Sequence, residues 1–402
     1  MISEFKNAVQ FQPQGEPKGN LTLGRGMVDG KPVHIAIIEN KLTSGAIGVA
    51  ECDKLASLFR VVAAQRQPVV LFIDSAGARV SEGLPALGAF RRMFQAALKC
   101  HAIQTPMLAV IGTNCFGGAS MLASLCSMRY FNTHSKLAMS GPTILAATAG
   151  ASVLDEAFRA IADASIGQAG RLKLSPRHLR FEGLVTFLAP GDVAKEIDPL
   201  QSRLVSQKYS VSRSASAEVK IVNRKDITAL YPNGYSLREI DGVLSGNAGA
   251  DIVLTGSIDK RMMTAGRAHL LCLQIREILD APALPRVLNI LIDCESHSSG
   301  LDDEKVMLSE FLVSLSVQLW QLAQRGVVVE TTVLGKLGGG VYVALAAASS
   351  SVYLLHGAQI QVLPSKAIAA ILGDSDVAAN EFAAYLAAGV AERELKLGLV
   401  DS

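Results

Sequence analysis

Two apolar heptapeptides, residues 68–74 (PVVLFID) and 287–293 (VLNILID), each end on an aspartate, and each opens the same succession of elements. After the first, Ser75-Ala76-Gly77 turns the chain into a helical stretch from Leu84 to Leu98 and a second apolar strand at 106–112 (PMLAVIG). The turn Asn114-Cys115-Phe116-Gly117-Gly118 follows, then a small-residue helix at 119–127 and a strand-like stretch from Arg129 to Ser140-Gly141-Pro142. After the second heptapeptide come a helical stretch from Glu304 to Arg325, a strand at 327–334 and the turn Gly335-Lys336-Leu337-Gly338-Gly339-Gly340. A small-residue helix at 341–348 and strand pieces at 351–356 and 359–363 complete it. Apolar runs bounded by Gly and Pro read as strands buried on both faces, and their alternation with helices predicts α/β crossovers. Six elements recur in order with their glycines, so the chain reads as a duplicated α/β unit.

Residues 191–245, rich in Ser, Lys, Asp and Asn, read as a connector between an N-terminal domain at 1–190 and a C-terminal domain at 246–402, with an exposed section near Ser206–Ser216. A chain of 402 residues fits two domains better than one. Half of the residues are hydrophobic, only 5% are aromatic and 35 are Gly, a mix suited to helices close-packed on sheets with tight turns.

The net charge of +2 is spread along the chain, which argues against nucleic acid or an anionic membrane as partner. The N-terminal MISEFKNAVQFQPQGEPKGN has no apolar core of a secretory signal, and no stretch offers about 18 strongly apolar residues in a row. Six cysteines without a CxxC pair read as reduced thiols of a cytoplasmic protein. The histidines show no metal-ligand spacing, so no metal is expected.

The chemistry-bearing feature is the turn Cys115-Phe116-Gly117-Gly118, placed between a buried strand and a helix start. Glycines there let the backbone turn sharply and approach a ligand, with outward N–H groups backed by the helix dipole. Such a turn can stabilise the negative charge that grows on a thioester carbonyl as an enolate forms. A single Gly-Gly pair is more commonly a packing device, but its recurrence at Gly339-Gly340 favours function. LGKLGGG is not a Walker A loop, because Lys336 precedes the glycines, and GRGMVDG lacks the dinucleotide fingerprint. Cys115 could act as a nucleophile, although a buried inert thiol is the better reading; His297 with Glu295 could form an acid–base pair, although a surface-loop histidine is the better reading.

These motifs carry a family resemblance. Ser44-Gly45-Ala46-Ile47-Gly48, Asp74-Ser75-Ala76-Gly77-Ala78-Arg79 with Glu82-Gly83, Phe116-Gly117-Gly118 and Ser140-Gly141-Pro142 resemble, in order, the N-terminal domain of acyl-CoA carboxyltransferases. CFGGASMLASLCS is most similar to the beta subunit of biotin-independent malonate decarboxylase. From about Ile258 the chain resembles the gamma subunit, through Ile292-Asp293, Gly335-Lys336 with Gly339-Gly340, and Ser365-Lys366-Ala367. The resemblance implies two crotonase-like ββα domains in tandem, of the carboxyltransferase type, with an active site in a cleft between an N-half and a C-half. It places Gly117 and Gly118 at the thioester carbonyl and Gly339 and Gly340 at the carboxylate, with Phe116, Arg79, Ser140, Gly141 and Lys366 binding substrate. Arg79 reads equally well as a salt bridge holding its own loop, and Lys366 as a solvated lysine. The chain departs from the family at Thr143, where the beta subunit has a glutamate after Gly-Pro, and at Cys294-Glu295-Ser296, where the gamma subunit has Pro-Gly-Gln.

The expected activity is decarboxylation of a malonyl-type thioester, on an acyl carrier protein or CoA, through an enolate held by backbone N–H groups. No covalently bound cofactor is expected; phosphopantetheine or CoA enters as the carrier of the acyl group, and a homo-oligomer is expected. The alternatives are a carboxyltransferase component of a biotin-dependent acyl-CoA carboxylase and a catalytically silent scaffold subunit.

Overall fold

The computed structural model describes residues 1–149, 156–183, 185–187, 197–207 and 219–364. They divide into two compact units, one drawn from the described positions up to 187 and from 299–313, the other from those between 197 and 298 and from 314–364.

The first unit opens with helix α1 (Ile2–Ala8) and strands β1 (Gln12–Pro13), β2 (Leu21–Val28) and β3 (Lys31–Ile38). β2 and β3 pair as an antiparallel hairpin closed by Asp29 and Gly30, with φ of 49° and 72°. Two consecutive positive φ values are what a two-residue hairpin loop needs to match strand twist, and Asp-Gly supplies them cheaply. Then follow α2 (Val49–Gln65), β4 (Val69–Ser75), α3 (Leu84–Ala102), β5 (Met107–Phe116), α4 (Gly118–Leu125), β6 (Met128–Phe131) and β7 (Lys136–Ala138). α5 (Pro142–Thr148), α6 (Glu156–Ile166), α7 (Gln168–Arg171) and β8 (His178–Arg180) complete the run. The sheet order is β1-β2-β3-β4-β5-β6-β8, and β7 lies beside the end of β5. From β3 onward all neighbours are parallel. Phe5, Val33, Ile35, Phe72, Val110 and Tyr130 form a core against this sheet.

The second unit contains α8 (Ile197–Ser206), β9 (Lys220–Ile221), α9 (Lys225–Leu230), β10 (Ser236–Ile240), β11 (Val243–Ala248), β12 (Ile252–Ser257), α10 (Ala265–Leu279) and β13 (Val287–Cys294). α11 (Leu301–Lys305) and the start of α12 (Leu308–Gln324) come next in the chain but belong to the first unit. β14 (Val328–Gly338), α13 (Gly339–Ala346), β15 (Ser351–Leu354) and β16 (Gln359–Gln361) finish the second sheet, whose order is β15-β14-β13-β12-β11-β10-β9 with β16 beside β14.

The two α/β halves expected from the sequence are present. The repeat also reaches further upstream than the heptapeptides: β2-β3-α2-β4 has its counterpart in β11-β12-α10-β13, with the same antiparallel and parallel pairings. Residues 236–245, inside the stretch read as a connector, form β10 and the start of β11. Residues 208–218, with most of the section near Ser206–Ser216, lie outside the described residues.

Three local expectations are corrected. The strands β5 and β14 do not stop at Gly112 and Leu334 but run on to Phe116 and Gly338, because β7 and β16 supply ladder partners for Asn114–Phe116 and Lys336–Gly338. The helical stretch from Glu304 is broken at Val306 and Met307, the latter at φ 65°. Both side chains are fully buried, and that burial offsets the cost of about 1–2 kcal/mol for a left-handed residue. The strand-like stretch from Arg129 to Ser140 is two short strands, β6 and β7.

Candidate active site

Each half contains the same irregularity where its central strands end. Two steps along β4, from Ile73 to Ser75, face four steps along β5, from Ile111 to Cys115; Ile292 to Cys294 on β13 face Val333 to Leu337 on β14 in the same way. The extra residues leave backbone N–H groups without ladder partners, and the strand-end aspartates take them up. Asp74 Oδ1 accepts the Asn114 N–H at 3.0 Å, and Asp293 Oδ1 accepts the Lys336 N–H at 2.8 Å. Gly112 and Gly335 lie directly against these carboxylates, where a Cβ would collide. The paired aspartates are therefore staples for the bulges that aim each glycine turn.

In the first unit the bulge delivers Phe116, Gly117 and Gly118 to the N-terminus of α4. Gly117 has φ 54° and ψ −132°, a conformation for which glycine is the suited residue, and it caps the helix. Its N–H is not free: it donates to the carbonyls of Ala138 and Met139, both at 3.1 Å. Its carbonyl accepts the Ser120 N–H at 3.0 Å and the Ser120 hydroxyl at 2.7 Å. The outward donors are instead Gly118 and Ala119, whose N–H groups find no acceptor among the described residues, as first-turn helix geometry dictates. Gly118 has a packing role as well, since a Cβ there would lie 2.5 Å from the Phe90 ring.

Ser140 and Gly141 flank this turn. A Cβ on Gly141 would sit 3.2 Å from the Phe116 ring, and that ring packs with Phe158 and Leu301 around Ala138, Leu145 and Ile166. Thr143 is exposed on α5. Gly77 completes the surround: a Cβ on Gly77 would lie 2.9 Å from the Phe116 carbonyl oxygen, and a Cβ on Gly117 would lie 3.7 Å from the Gly77 Cα. The structure thus brings Phe116, Gly117, Gly118, Ser140 and Gly141 together.

Arg79 is engaged elsewhere in its own loop. Its guanidinium pairs with fully buried Glu51 and, at 2.5 Å, with Glu82, and donates to the Ala46 carbonyl at 3.0 Å. Burial would raise the Glu51 carboxyl, but Arg79 and the backbone N–H groups of Glu51 itself and Asn20 hold it below the usual carboxylate range. The 44–48 loop is tied to the 74–79 loop by Ala76 N–H to the Ser44 carbonyl and Ile47 N–H to the Gly77 carbonyl. Arg79 thereby locks the 44–48 loop to the 74–79 loop, which carries Gly77.

Gly339 and Gly340 belong to the second unit. Gly339 matches Gly117 in its φ of 55°, and a Cβ there would lie 2.9 Å from Ser296 Oγ and 3.3 Å from His297 Nδ1. His297 is buried rather than on a surface loop, and burial brings it down to about 4, so it is neutral at pH 7. Its Nδ1 meets Ser296 Oγ at 3.2 Å, while Glu295 pairs with Lys336 at 3.3 Å, so the two do not form an acid–base pair. Cys115 is fully buried, which pushes its thiol well above the ordinary range. Lys366 lies outside the described residues.

Sequence reasoning missed Glu304 and Arg171. Glu304 Oε1 accepts the Ser140 N–H at 2.8 Å, and Arg171 donates to the Leu137 carbonyl at 2.8 Å and to the Glu304 carbonyl at 2.7 Å. Both side chains are fully buried. Glu304 is more than a hundred positions from Ser140 and outside any motif, so no local pattern signals the contact; a fully buried Arg171 leaves no trace in hydrophobic periodicity either. Among the described residues no cluster of three or more His, Cys, Asp or Glu is placed to hold a metal, and no helix is long and apolar enough to cross a membrane.

Residues 3–164 match the family described as the carboxyl transferase domain. Over 181 residues the chain is 26% identical to the methylmalonyl-CoA carboxyltransferase 12S subunit of Propionibacterium freudenreichii, covering 45% of this chain and 32% of that protein. Over 108 residues it is 32% identical to acetyl-coenzyme A carboxylase carboxyl transferase subunit beta 1 of Roseiflexus castenholzii, covering 27% of this chain and 36% of that protein. The chain therefore spans about a third of the length of the curated relatives it matches. A solved Pseudomonas malonate decarboxylase hetero-tetramer in complex with malonate aligns at 21% identity with a TM-score of 0.41, covering 45% of this chain and 76% of that one. Residues 3–164 are thus similar to carboxyl transferase domains, and the chain folds as two α/β halves, each built on its own sheet.

Proposed function

We propose that this chain decarboxylates a malonyl-type thioester, carried on an acyl carrier protein or CoA, with the Gly117–Ala119 turn as the enolate-stabilising element. The observation that carries the reading is the pair of N–H groups at Gly118 and Ala119 that find no acceptor among the described residues, at the start of α4 within the segment that matches carboxyl transferase domains. Loss of CO₂ from a β-carboxyl thioester moves the bonding electron pair onto the α-carbon and carbonyl oxygen. Preorganised N–H donors on that oxygen lower the barrier, with single donors worth about 2.7–4 kcal/mol, and a proton from water or a nearby acid then quenches the α-carbon. Gly339, with Ser296 and neutral His297 beside it, and Gly340 are assigned to the carboxylate. Lys366 is kept as a contact for the carrier or its phosphate, and Arg79 as the lock of the substrate loops.

A second reading, a carboxyltransferase component working with a biotinylated partner, is favoured by the likeness to the methylmalonyl-CoA carboxyltransferase subunit. One experiment separates the two. Malonyl- and methylmalonyl-loaded carrier protein and CoA are incubated with the purified chain, and loss of CO₂ is read by mass spectrometry with and without avidin. Avidin-insensitive decarboxylation supports the proposal; dependence on an added biotinylated protein moves the assignment to carboxyl transfer. Inactivity under every condition leaves the scaffold reading. A homo-oligomer is proposed as the working form.

A further inference from the structure

The turn that carries Gly118 and Ala119 is tied to the segment after β7 through the Gly117 N–H, shared between the Ala138 and Met139 carbonyls. The orientation of the donors therefore depends on what fixes residues 137–140. Two buried side chains do so. Arg171 Nε holds the Leu137 carbonyl at 2.8 Å, and Glu304 Oε1 holds the Ser140 N–H at 2.8 Å, one on each side of the carbonyls that take Gly117. Arg171 also donates to the Glu304 backbone carbonyl at 2.7 Å and approaches its carboxyl at 3.6 Å, so the two act as one clamp.

Glu304 arrives on α11, a single helical turn that leaves the C-terminal half of the sequence to join the first unit. The same segment is tied down at Ser309, whose hydroxyl meets Ser124 at 3.0 Å, and at Glu310, which pairs with Arg129. Arg129 in turn donates to the carbonyls of Ala123, Ser124 and Cys126 at the end of α4. Residues 304–310 therefore reach α4 at both ends, through the Ser140 segment after β7 at its start and through Arg129 at its finish. Among the described residues Glu304 Oε2 makes no hydrogen bond and faces Arg171 at 3.6 Å.

We infer that Glu304 is the positioning residue of the Gly117 turn: its carboxyl fixes the Ser140 backbone, which fixes the Met139 carbonyl, which fixes the N–H donors at Gly118 and Ala119. The inference rests on the functional reading of that turn, but it makes a claim about geometry that can be checked without substrate.

The test uses the full chain and two variants. Glu304→Gln keeps an oxygen acceptor for the Ser140 N–H, and Glu304→Leu removes it. Amide hydrogen exchange is read by mass spectrometry on peptides covering 114–121 and 136–141, with 69–75 as an internal control. Glu304→Leu is expected to raise exchange in the first two peptides by about tenfold, the factor of one lost hydrogen bond, while the control stays protected. Glu304→Gln is expected to restore protection. On a malonyl thioester, kcat of Glu304→Leu falls by at least about tenfold with KM within about twofold, and Glu304→Gln recovers most of it. Unchanged exchange in Glu304→Leu, or a rise spread equally over the control, overturns the inference, as does a Gln variant as impaired as Leu. If Glu304→Leu does not fold, the exchange profile of Glu304→Gln decides: protection kept at 136–141 supports the clamp and protection lost refutes it. A wild-type chain without activity removes the functional reading alone, because the exchange measurements still decide the positioning claim.

Discussion

Asp74 holds the Asn114 N–H at 3.0 Å across the register shift between β4 and β5, and Asp293 repeats the contact on Lys336 at 2.8 Å. The aspartates that end both apolar heptapeptides are thus not acids waiting for substrate but acceptors for N–H groups that a bulge has taken out of the ladder. Asp74→Ala leaves that N–H with no acceptor in a half-buried position and removes a charged hydrogen bond worth about 1.5–3 kcal/mol. Urea unfolding is expected to show a loss of that size, with kcat falling as the turn drifts. Asp74→Asn keeps an acceptor oxygen and loses less; an Asp74→Ala chain as stable as wild type would contradict the staple.

The glycine pair divides its labour. A methyl at Gly117 has room, with its Cβ 3.7 Å from Gly77 Cα, but must adopt φ 54°, whereas a methyl at Gly118 would lie 2.5 Å from the Phe90 ring. Gly117→Ala is therefore expected to shift the donors, lowering kcat by roughly 10²–10³ as oxyanion losses do, at a modest stability cost. Gly118→Ala is expected to lose stability first, by about 1–3 kcal/mol of overpacking, and Phe90→Leu in the same chain should restore part of it. Steady-state kinetics and thermal unfolding on the four chains test this division. Equal behaviour of the two single variants in both measurements would show that it does not exist.

The order of strands and helices was legible because buried parallel strands are written as uninterrupted apolar runs, such as VVLFID, and because glycines mark the turns between them. The hairpin β2–β3 was not read, although Asp29-Gly30 sits between two apolar segments, because Pro32 and the polar Arg25 and His34 obscure its alternation. What could not be read is long-range. Nothing near Leu301 says that its helix leaves its own half, and the end of β5 looks like a turn until β7 is seen beside it. Arg79 shows the limit from the other side: its motif position was plain, but its partner Glu51 lies on a different helix.

Arg79 gives a test of role by the kind of damage it causes. Glu51 is fully buried and its charge is balanced by Arg79 and two N–H donors. Removing the guanidinium leaves that carboxylate without its counter-charge, a change that costs about 3–5 kcal/mol in buried pairs. Arg79→Met is expected to show a loss toward that range in chemical unfolding, and Arg79→Met with Glu51→Gln to recover much of it. If Arg79→Met instead leaves stability intact and raises KM alone, Arg79 contacts substrate.

Glu304 also sets a pH dependence. Burial pushes its carboxyl up to about 7, above the 4.5 of the same group in an open chain, and Arg171 at 3.6 Å opposes that rise only in part. The other titratable groups around it are Asp303 on its own helix, and His178, which meets the Arg171 carbonyl and which burial and Arg129 keep neutral by bringing it down to about 4. The sign follows from proton counts: between pH 4.5 and 7 the folded chain holds a proton on Glu304 that the unfolded chain has lost, so the unfolded state binds fewer protons and stability falls as pH rises. Below 4.5 both states are protonated, and above about 7 both are ionised, so this contribution is flat outside that window. Thermal unfolding of wild type from pH 4.5 to 8 is expected to show this decline on top of the background from other groups. Glu304→Gln cannot ionise, so subtracting its profile isolates the Glu304 contribution. The difference should grow between pH 5 and 7 and level off above, in favour of the Gln chain at the alkaline end. A difference that is constant with pH, or that grows toward acid, would mean that Glu304 is held ionised by Arg171 in the folded chain.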